Sequence, residues 1–303
     1  MTPEDVLAHP ARVLTQTQRE DYFENGYVTV EGAVSRAWLD RLHAVTAEMV
    51  EKGRALTESN DVFILEDGHR ADDPRLRRVT NPVSHHPVYW EFASESLMAD
   101  AAADVVGPDV KFYHSKLNFK WARGGQDFKW HQDIQAWPHT NYSPVTIGLY
   151  MDDCDMPQGP LIVAKGSHNG PLHSMYDDSG RWVLNIPADR LPPRETWDYL
   201  TGPAGTLVLL NCRTVHGSLR NESDRGRPFL LNVYSSADAF AYRPNPLPNP
   251  YEGAIVRGRP ARWAHHDPRP CEIPPDWSSG YVGPWAHQKQ AIAGATASRG
   301  PSM

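Results

Sequence analysis

The chain has 303 residues, of which 40% are hydrophobic and 22% charged, and its formal net charge is −7. This length and composition are typical of a globular protein with a sizeable core rather than of a disordered one. The acidic balance argues against a nucleic-acid-binding protein, and no run approaches the roughly 20 apolar residues of a transmembrane helix, so we expect neither nucleic acid nor a membrane as a partner.

The first third of the chain carries helical patterns. Thr17 to Glu20 fits a capping box, which predicts a helix over 17–25 followed by a short strand, YVTV. Apolar residues then recur at helical spacing in SRAWLDRLHAVTAEMVEKG, and a polar loop is predicted over 54–80. A third helix is predicted over 94–106, so this part of the chain is expected to be mainly helical.

After Gly107 the pattern changes to short strand-like segments with Gly/Pro turn signals between them. These segments include VKFYHSKLNFKWA, FKWHQDI, VTIGLYM, GTLVLLNC and RPFLLNVYSS. Many short strands with such punctuation predict a sandwich or barrel, and the lack of alternating helices argues against a parallel doubly wound sheet. From about 244 the chain is rich in proline and arginine, which predicts an extended segment lying over the domain.

A histidine and an aspartate, His131 and Asp133, lie two residues apart within FKWHQDIQAWPH. Alternate side chains of a strand point to the same face, with Cα atoms roughly 6–7 Å apart, so both can reach one cation. A third ligand must come from another strand, and His216, between two apolar strands, is the best candidate. Two histidines and one carboxylate form the facial triad of non-heme iron(II) oxygenases, which leaves positions open for a co-substrate and O2.

The HxD pattern alone also occurs on solvated strands, and the chain contains a second example that serves as a comparison. His265, His266 and Asp267 lie among prolines in AHHDPRP, away from any predicted strand. We therefore interpret the second pattern as part of a loop.

An arginine distinguishes the first pattern. Arg227 follows His216 by eleven residues and opens the predicted strand RPFLLNVYSS. Its planar guanidinium can grip a carboxylate bidentately, as the distal carboxylate of 2-oxoglutarate requires. Arg220 and Arg225 compete for this role, but both lie in a polar turn, where exposed loop charges are the simpler interpretation.

At this point the sequence resembles the phytanoyl-CoA dioxygenase family, a branch of the iron(II)- and 2-oxoglutarate-dependent oxygenases that includes ectoine hydroxylases. The resemblance covers roughly 18–240 and rests on YFENGYVTV, YHSKLNFKWA, WHQDIQAWP, GPLIVAKGSHNGPL and VHGSLRNESDRGRPFLLNVYSS, in that order. It implies a mainly β fold with flanking helices and a double-stranded β-helix core of the jelly-roll, cupin-like kind.

We therefore expect a single oxygenase domain over 1–303. Its expected parts are a helical N-terminal part over about 15–107, a jelly-roll core over about 108–240, a Pro/Arg-rich extension over about 241–290 and a frayed tail over 291–303. The three cysteines are far apart and odd in number, and the opening segment is not typical of a signal peptide. Both features favour a cytoplasmic protein, and we expect a monomer or homodimer.

The resemblance also implies roles for particular residues. The expected Fe(II) ligands are His131, Asp133 and His216, and the residues expected at 2-oxoglutarate are Arg227, Ser218 and Asn118. The implied reaction consumes O2, releases succinate and CO2, and hydroxylates an unactivated C–H bond of a small molecule, either a metabolite or a natural-product intermediate. Related halogenases lack the carboxylate ligand, so Asp133 favours hydroxylation, while desaturation, epoxidation and cyclisation stay open.

Four polar residues share one face of the strand VKFYHSKLNFK: His114, Lys116, Asn118 and Lys120. Such a face is unfavourable on a buried strand unless it lines something wet, so the strand either lines a pocket or faces solvent. In the first case His114 and Lys116 are expected to face the substrate, with Lys120 nearer the rim.

Trp137 is expected either to contact substrate or co-substrate or to be a core residue. Arg77 and Arg78 precede the barrel, where they meet an anionic substrate or lie in a solvated loop. His168 and His173 flank a turn and are not expected to bind metal.

Two other classes of protein stay in view. A non-oxidative cupin-type metalloenzyme would need the metal site but no arginine for 2-oxoglutarate, so Arg227 argues against it. An inactive binding protein of the same family would have lost a metal ligand, and none is missing here. The loops at 54–80, 168–200 and 240–285 are expected to roof the pocket and to choose the substrate.

Overall fold

The computed structural model describes residues 1–281 and 283–289. Its labelled helices are α1 (Pro3–Leu7), α2 (Gln16–Asn25), α3 (Arg36–Gly53), α4 (Pro87–Glu95) and α5 (Leu97–Val106). Its strands are β1 (Tyr27–Val30), β2 (Phe63–Leu65), β3 (Leu76–Thr80), β4 (Val110–Lys120), β5 (Phe128–His131), β6 (Val145–Tyr150), β7 (Leu161–Ala164), β8 (Trp197–Leu200), β9 (Leu207–Asn211), β10 (His216–Ser218), β11 (Arg227–Ser236) and β12 (Ile255–Arg257). A further helical segment covers 284–289.

The strands form two antiparallel sheets. The major sheet has the order β1-β9-β6-β11-β4-β3-β2, with β12 pairing to β4, and the minor sheet has the order β5-β10-β7-β8. The sheets form the double-stranded β-helix that the resemblance implied, so the prediction of a mainly β jelly-roll core is confirmed. Sequence neighbours are rarely sheet neighbours here, as expected of a jelly roll rather than a meander.

The major sheet is buried on both faces, and β6 illustrates why. Ile147 and Leu149 belong to the cluster that includes Leu42 and Met49 of α3, so this face of the sheet lies against the helical layer. The alternate residue Thr146 points the other way and lines the cavity between the sheets. The two-residue period of a strand therefore separates a structural face from a functional face.

A second apolar cluster joins the two sheets. It contains Tyr150 and Phe229 of the major sheet together with Val163 and Leu200 of the minor sheet. Gly148 lies opposite this cluster, and a Cβ atom there would clash with the ring of Phe229. The glycine thus leaves room for the aromatic ring against β6, beside the cavity that both residues line.

The predicted helix boundaries hold better than the predicted caps. Helix α2 begins one residue before the predicted start, and its capping box is formed by Thr15 and Gln18 rather than by Thr17 and Glu20. The helix predicted over 94–106 is interrupted at Ser96, which is extended and whose side chain accepts from the N–H of Met98. This break separates α4, which the sequence did not indicate, from α5.

The predicted loop at 54–80 is wrong in part, because it contains β2 and β3. Strand β3 pairs with β4 and so places Arg77 and Arg78 inside the major sheet. The loop expected at 168–200 likewise ends in β8. Strand β2 (FIL) has only three residues, and β3 (LRRVT) and β8 (WDYL) are short and carry polar residues, so none of the three shows the alternation on which strand prediction depends.

The C-terminal extension contacts the barrel at several points. The indole N–H of Trp277 donates to the carbonyl of Ala136 at 3.0 Å, and the Gln288 amide donates to the carbonyl of Leu184 at 2.9 Å. The tail predicted at 291–303 lies outside the described residues. Within the described residues, the helices fall short of the length and hydropathy that a bilayer crossing requires.

Candidate active site

Two histidines face each other across the minor sheet. His131 ends β5 and His216 begins β10, and the two residues are directly paired in the antiparallel ladder, with ring centroids 4.1 Å apart. The Nδ1 atom of His131 lies 2.8 Å from the carbonyl oxygen of Lys129, and that of His216 lies 2.9 Å from the carbonyl oxygen of Thr214. Nδ1 therefore donates to the backbone, which leaves both Nε2 lone pairs available to a metal.

Asp133 approaches the histidines from outside the strand. Strand β5 stops at His131, and Asp133 begins a 3-10 turn, so the prediction of a continuous strand through the pair is wrong. Gln132 is still extended, with φ −121° and ψ 127°, so Asp133 keeps the expected direction. Its Oδ1 lies 3.6 Å from Nε2 of His131 and 3.9 Å from Nε2 of His216.

The arrangement fits a divalent metal ion. One ligand atom from each of His131, Asp133 and His216 lies within 4.8 Å of the other two, and all three residues are buried. Burial raises the pKa of Asp133, but its interactions with the imidazoles of His131 and His216 and with Lys116 outweigh burial and hold that pKa well below its usual value. Burial and then His131 lower the pKa of His216 to about 4. A carboxylate and neutral imidazole are the protonation states that metal coordination requires.

The second carboxylate oxygen of Asp133 is also occupied. The hydroxyl of Thr146 on β6 donates to Oδ2 at 2.6 Å. This bond fixes the carboxylate so that Oδ1 faces the histidines. Sequence reasoning missed Thr146, because nothing in VTIGLYM separates its polar residue from an ordinary strand threonine.

Two cations lie together at one end of the cavity. Arg227 and Lys120 are directly opposite each other on β11 and β4, and both are buried. Nε and Nη1 of Arg227 and Nζ of Lys120 have no hydrogen-bond partner among the described residues. Burial, and then the charge of Arg227, lower the pKa of Lys120 well below its usual value. An unpaired buried cation is costly, so the pair fits an anion such as the distal carboxylate of 2-oxoglutarate.

The expectation that Lys120 lies nearer the rim is wrong. It lines the same cavity as Arg227 and Ser218, because the β4–β11 register places it opposite the arginine rather than at an open edge. The two competing arginines do not reach this cavity. Arg220 and Arg225 are exposed, and Arg225 forms an ion pair with Asp155.

A smaller cavity adjoins the first and shares His131 and Asp133 with it. Its wall includes His114, Trp137 and Lys116, so the structure brings together the residues predicted at the substrate. The Nδ1 atom of His114 lies 3.1 Å from the side-chain oxygen of Asn245, and its Nε2 has no described partner. Burial lowers the pKa of His114 well below its usual value. The polar face of β4 therefore lines a pocket and does not face solvent.

The two arginines left open by the sequence are both buried. Arg78 donates through Nε to the side-chain oxygen of Asn118 at 2.8 Å and lines both cavities. The guanidinium carbons of Arg78 and Arg77 lie 4.5 and 5.4 Å from the ring centroid of Trp285. Burial lowers the pKa of Arg78 to about 10. The solvated-loop alternative is therefore wrong for both arginines.

The C-terminal extension contributes side chains to the walls of both cavities, whereas the sequence predicted only that it would cover the pocket. Tyr281 lines the smaller cavity and Trp285 lines the larger one. The ring of Trp285 also packs edge-on against Phe128 of β5, at 5.3 Å between centroids. Aromatic residues in a Pro-rich segment were a weak signal for this role.

The second HxD pattern and His168 make contacts outside the triad. Asp267 of the second HxD pattern forms an ion pair with Arg269 instead of meeting a second histidine. The Nε2 atom of His168 lies 2.9 Å from the carbonyl oxygen of Phe23. Neither residue joins the metal-ligand group formed by the triad.

A buried His-Asp-His triad inside a double-stranded β-helix, with a cationic pair at one end of its cavity, defines an iron(II)- and 2-oxoglutarate-dependent oxygenase. The profile of the phytanoyl-CoA dioxygenase (PhyH) family matches residues 22–229. The chain belongs to this family, and the protein is a 2-oxoglutarate-dependent non-heme iron dioxygenase.

Several known proteins are similar to the chain over most of its length. A protein of Stutzerimonas stutzeri described as a probable alpha-ketoglutarate-dependent hypophosphite dioxygenase is 28% identical over 262 residues, which are 85% of this chain and 90% of that one. An ectoine dioxygenase of Sphingopyxis alaskensis is 24% identical over 82% and 85% of the two chains. The carbocyclase SnoK from nogalamycin biosynthesis shares the fold, with a TM-score of 0.62 and 21% identity over 77% and 89% of the chains.

Proposed function

We propose that the protein hydroxylates an unactivated C–H bond of a small molecule while 2-oxoglutarate is converted to succinate and CO2. One oxygen atom of O2 enters succinate and the other enters the substrate. Oxidative decarboxylation of 2-oxoglutarate and oxidation of the C–H bond supply the four electrons. The observation that carries the proposal is the His131–Asp133–His216 triad in one cavity with the unpaired cations Arg227 and Lys120.

The triad residues would hold the iron, which supplies O2 activation when it is bound. His131 and His216 would present Nε2 to the metal because their Nδ1 atoms are held by backbone carbonyls two residues earlier in the chain. Thr146 fixes Asp133 from behind. The three ligands line the same cavity as Arg227 and Ser218, so a metal that they hold would be within reach of 2-oxoglutarate bound there, and a three-residue facial set would leave positions for the co-substrate and O2.

Arg227 would bind the distal carboxylate of 2-oxoglutarate, with Ser218 of β10, in the minor sheet, as a hydroxyl donor in the same cavity. Lys120, opposite Arg227, would place a second cation beside the same carboxylate. Asn118 would orient the co-substrate from the wall of β4, where Arg78 already fixes its amide. Together these residues hold the molecule in one orientation relative to the metal.

His114, Lys116 and Trp137 would contact the substrate in the adjoining cavity. Tyr281 of the C-terminal extension lines this cavity and Trp285 lines the larger one, and together they would exclude water from the reacting atoms. The similarity to SnoK, described as a carbocyclase, supports cyclisation as a second outcome of the same chemistry. Desaturation and epoxidation need the same groups and are further alternatives.

The setting of the reaction is also part of the proposal. Cys154, Cys212 and Cys271 are free, which suits the reducing cytoplasm. The proposed reaction partner is a small molecule, and the protein would act as a monomer or homodimer. The relatives described as acting on hypophosphite and ectoine support small substrates.

Spectroscopy and turnover test the proposal together. Under anaerobic conditions, Fe(II) and 2-oxoglutarate should together give a weak visible charge-transfer band that neither gives alone. Admission of air should then yield succinate in proportion to the 2-oxoglutarate consumed. A protein that gives neither the band nor succinate does not have the proposed function.

A further inference from the structure

Two cationic side chains lie at the junction of the two cavities without a counter-charge. Arg78 on β3 and Lys116 on β4 line both cavities, next to the metal ligand Asp133. The side-chain nitrogens recorded within 4 Å of the Asp133 carboxylate belong to the two histidines of the triad, not to these cations. Among the described residues, neither Arg78 nor Lys116 forms an ion pair. Arg78 is buried and Lys116 is partly buried, and cations in such positions are normally paired, so their position requires an explanation.

The expected contents of the site do not supply the missing charge. The two positive charges of Fe(II) are balanced by Asp133 and by the 2-oxoglutarate carboxylate that chelates the metal. The distal carboxylate of 2-oxoglutarate already faces two cations, Arg227 and Lys120. Asp133 is the one carboxylate among the described residues that line the two cavities. Arg78 and Lys116 therefore stay uncompensated when iron and 2-oxoglutarate are bound.

We infer that the substrate is a small molecule carrying an oxoanionic group, either a carboxylate or a phosphorus oxoanion, which Arg78 and Lys116 bind beside the iron. This inference rests on the proposed function, because it assigns the 2-oxoglutarate carboxylates to the metal and to Arg227. It names the class of substrate that the adjoining cavity accepts.

Arg78 is prepared for this contact. Its Nε is held by Asn118, and its guanidinium lies over the ring of Trp285 with 4.5 Å between the guanidinium carbon and the ring centroid. The terminal nitrogens have no described hydrogen-bond partner, and a planar guanidinium held in one orientation matches an oxoanion bidentately. Little side-chain entropy is then lost on binding.

Lys116 adds a second positive charge, and its protonation depends on whether an anion is bound. Burial in the cavity lowers its pKa to about 8, and Arg78 contributes to the shift while Asp133 opposes it. A bound anion favours the protonated amine and raises that pKa. The remaining wall, with His114, Trp137 and Tyr281, is aromatic and close to the metal, so the rest of the substrate is small.

Binding of simple anions to the loaded enzyme tests the inference. The enzyme saturated anaerobically with Fe(II) and 2-oxoglutarate is titrated with methylphosphonate, hypophosphite and acetate, and with the neutral compounds dimethyl methylphosphonate and acetamide. Perturbation of the charge-transfer band and calorimetry report binding. At least one anion should bind in the millimolar range or tighter, and its neutral counterpart should not. The affinities for methylphosphonate and hypophosphite, compared with that for acetate, then show which oxoanion the site prefers.

Lys116→Met tests the role of this lysine in anion binding, because Lys116 makes no described hydrogen bond whose loss would affect folding. It should weaken anion binding by roughly tenfold or more, as expected for loss of a charged partner, and leave 2-oxoglutarate affinity unchanged. Lys116→Arg should restore most of the binding. Lys165→Met, at an exposed lysine, is the control and should bind as the wild type does.

Four results would overturn the inference. The first two are equal binding of anions and neutral compounds, and no binding of any anion. The third is equal anion affinity in Lys116→Met and wild type, which would place the anion on the iron alone. The fourth is a raised dissociation constant of 2-oxoglutarate in Lys116→Met, which would assign the lysine to the co-substrate. A normal charge-transfer band in any of these cases would leave the proposed function standing, whereas its absence would contradict that function.

Discussion

The two ends of the active-site cavity are both cationic, but they are built in different ways. At the co-substrate end, Arg227 and Lys120 are opposite residues of two central strands, locked in one ladder. At the substrate end, Arg78 and Lys116 also lie on strands, but the wall opposite them comes from Trp137 in a loop and from the C-terminal extension. One end is rigid and complete within the sheet, while the other depends on segments outside it.

This difference has a functional reason. The co-substrate is the same in every turnover of such enzymes, so a site on paired strands can hold it with little adjustment. The substrate differs from enzyme to enzyme, and loops placed on a rigid scaffold can change without disturbing the barrel. The iron triad lies between the two ends and serves both. Substitutions should therefore fall into three groups: those that affect both ends, the co-substrate end, or the substrate end.

The largest effect is expected where the two ends meet. Asp133→Ala removes the only anionic metal ligand of the triad, so iron binding should be lost and succinate formation should fall by roughly 10³-fold or more. Metal content and the charge-transfer band measure this directly. Asp267→Ala, in the second HxD pattern, is the matched control and should keep both. Equal loss in the two variants would mean that the effect is on folding rather than on the metal.

Arg227→Met should separate the two ends. Loss of a buried charged partner of a carboxylate should raise the dissociation constant of 2-oxoglutarate by roughly 10- to 100-fold, with the iron content unchanged. Equilibrium titration of the charge-transfer band gives the constant. Arg220→Met, at an exposed arginine four residues after His216, should bind 2-oxoglutarate as the wild type does. If Arg220→Met were the weaker binder, the assignment of the arginine would be wrong.

Lys120→Met should weaken 2-oxoglutarate binding by about tenfold, less than Arg227→Met does, because Arg227 still binds the carboxylate. A second signature is more specific. Burial and Arg227 lower the pKa of free Lys120, with Asp127, Cys154 and Glu66 opposing that shift, and a bound carboxylate raises the pKa again.

At a pH between the two Lys120 pKa values, 2-oxoglutarate binding should therefore take up a proton, and affinity should fall as pH rises. Calorimetry in two buffers of different ionisation enthalpy measures the uptake. Uptake that persists unchanged in Lys120→Met would show that another group titrates.

The co-substrate end and the substrate end also differ in how many of their residues could be predicted from the sequence. His131, His216 and Arg227 were found from the sequence because the HxD spacing, the place of His216 between two apolar strands and the eleven residues from His216 to Arg227 can all be read along the chain. Register across the sheet is not visible in the sequence. The position of Lys120 opposite Arg227 was therefore missed, and its expected place at the rim was wrong.

The substrate end was harder for a second reason. Arg78 lies on β3, a strand of five residues whose polar side chains made it look like a loop. Trp285 is far from the triad in sequence, and only tertiary contacts bring it to Arg78. Roles could thus be predicted for residues whose spacing along the chain carried a signal. For Arg78 and Trp285, whose places depend on sheet pairing and tertiary contacts, they could not.

The smallest expected effect tests the part of the site that lies outside the sheet. Trp285→Leu keeps an apolar side chain but removes the aromatic face over Arg77 and Arg78. A partly buried cation–π contact contributes about 0.5–2 kcal/mol, so binding of the best oxoanion to the loaded enzyme should weaken by a few-fold to about 30-fold. The dissociation constant of 2-oxoglutarate should not change, because Arg227 and Lys120 are untouched.

Trp263→Leu is the control for that variant, since Trp263 is 85% exposed. The comparison of the two ends predicts opposite specificities: Trp285→Leu alters anion affinity alone, and Lys120→Met alters 2-oxoglutarate affinity alone. If Trp285→Leu weakened 2-oxoglutarate binding as strongly as anion binding, the extension would be holding the whole cavity closed. The two ends would then be one cooperative unit rather than a rigid site and an adaptable one.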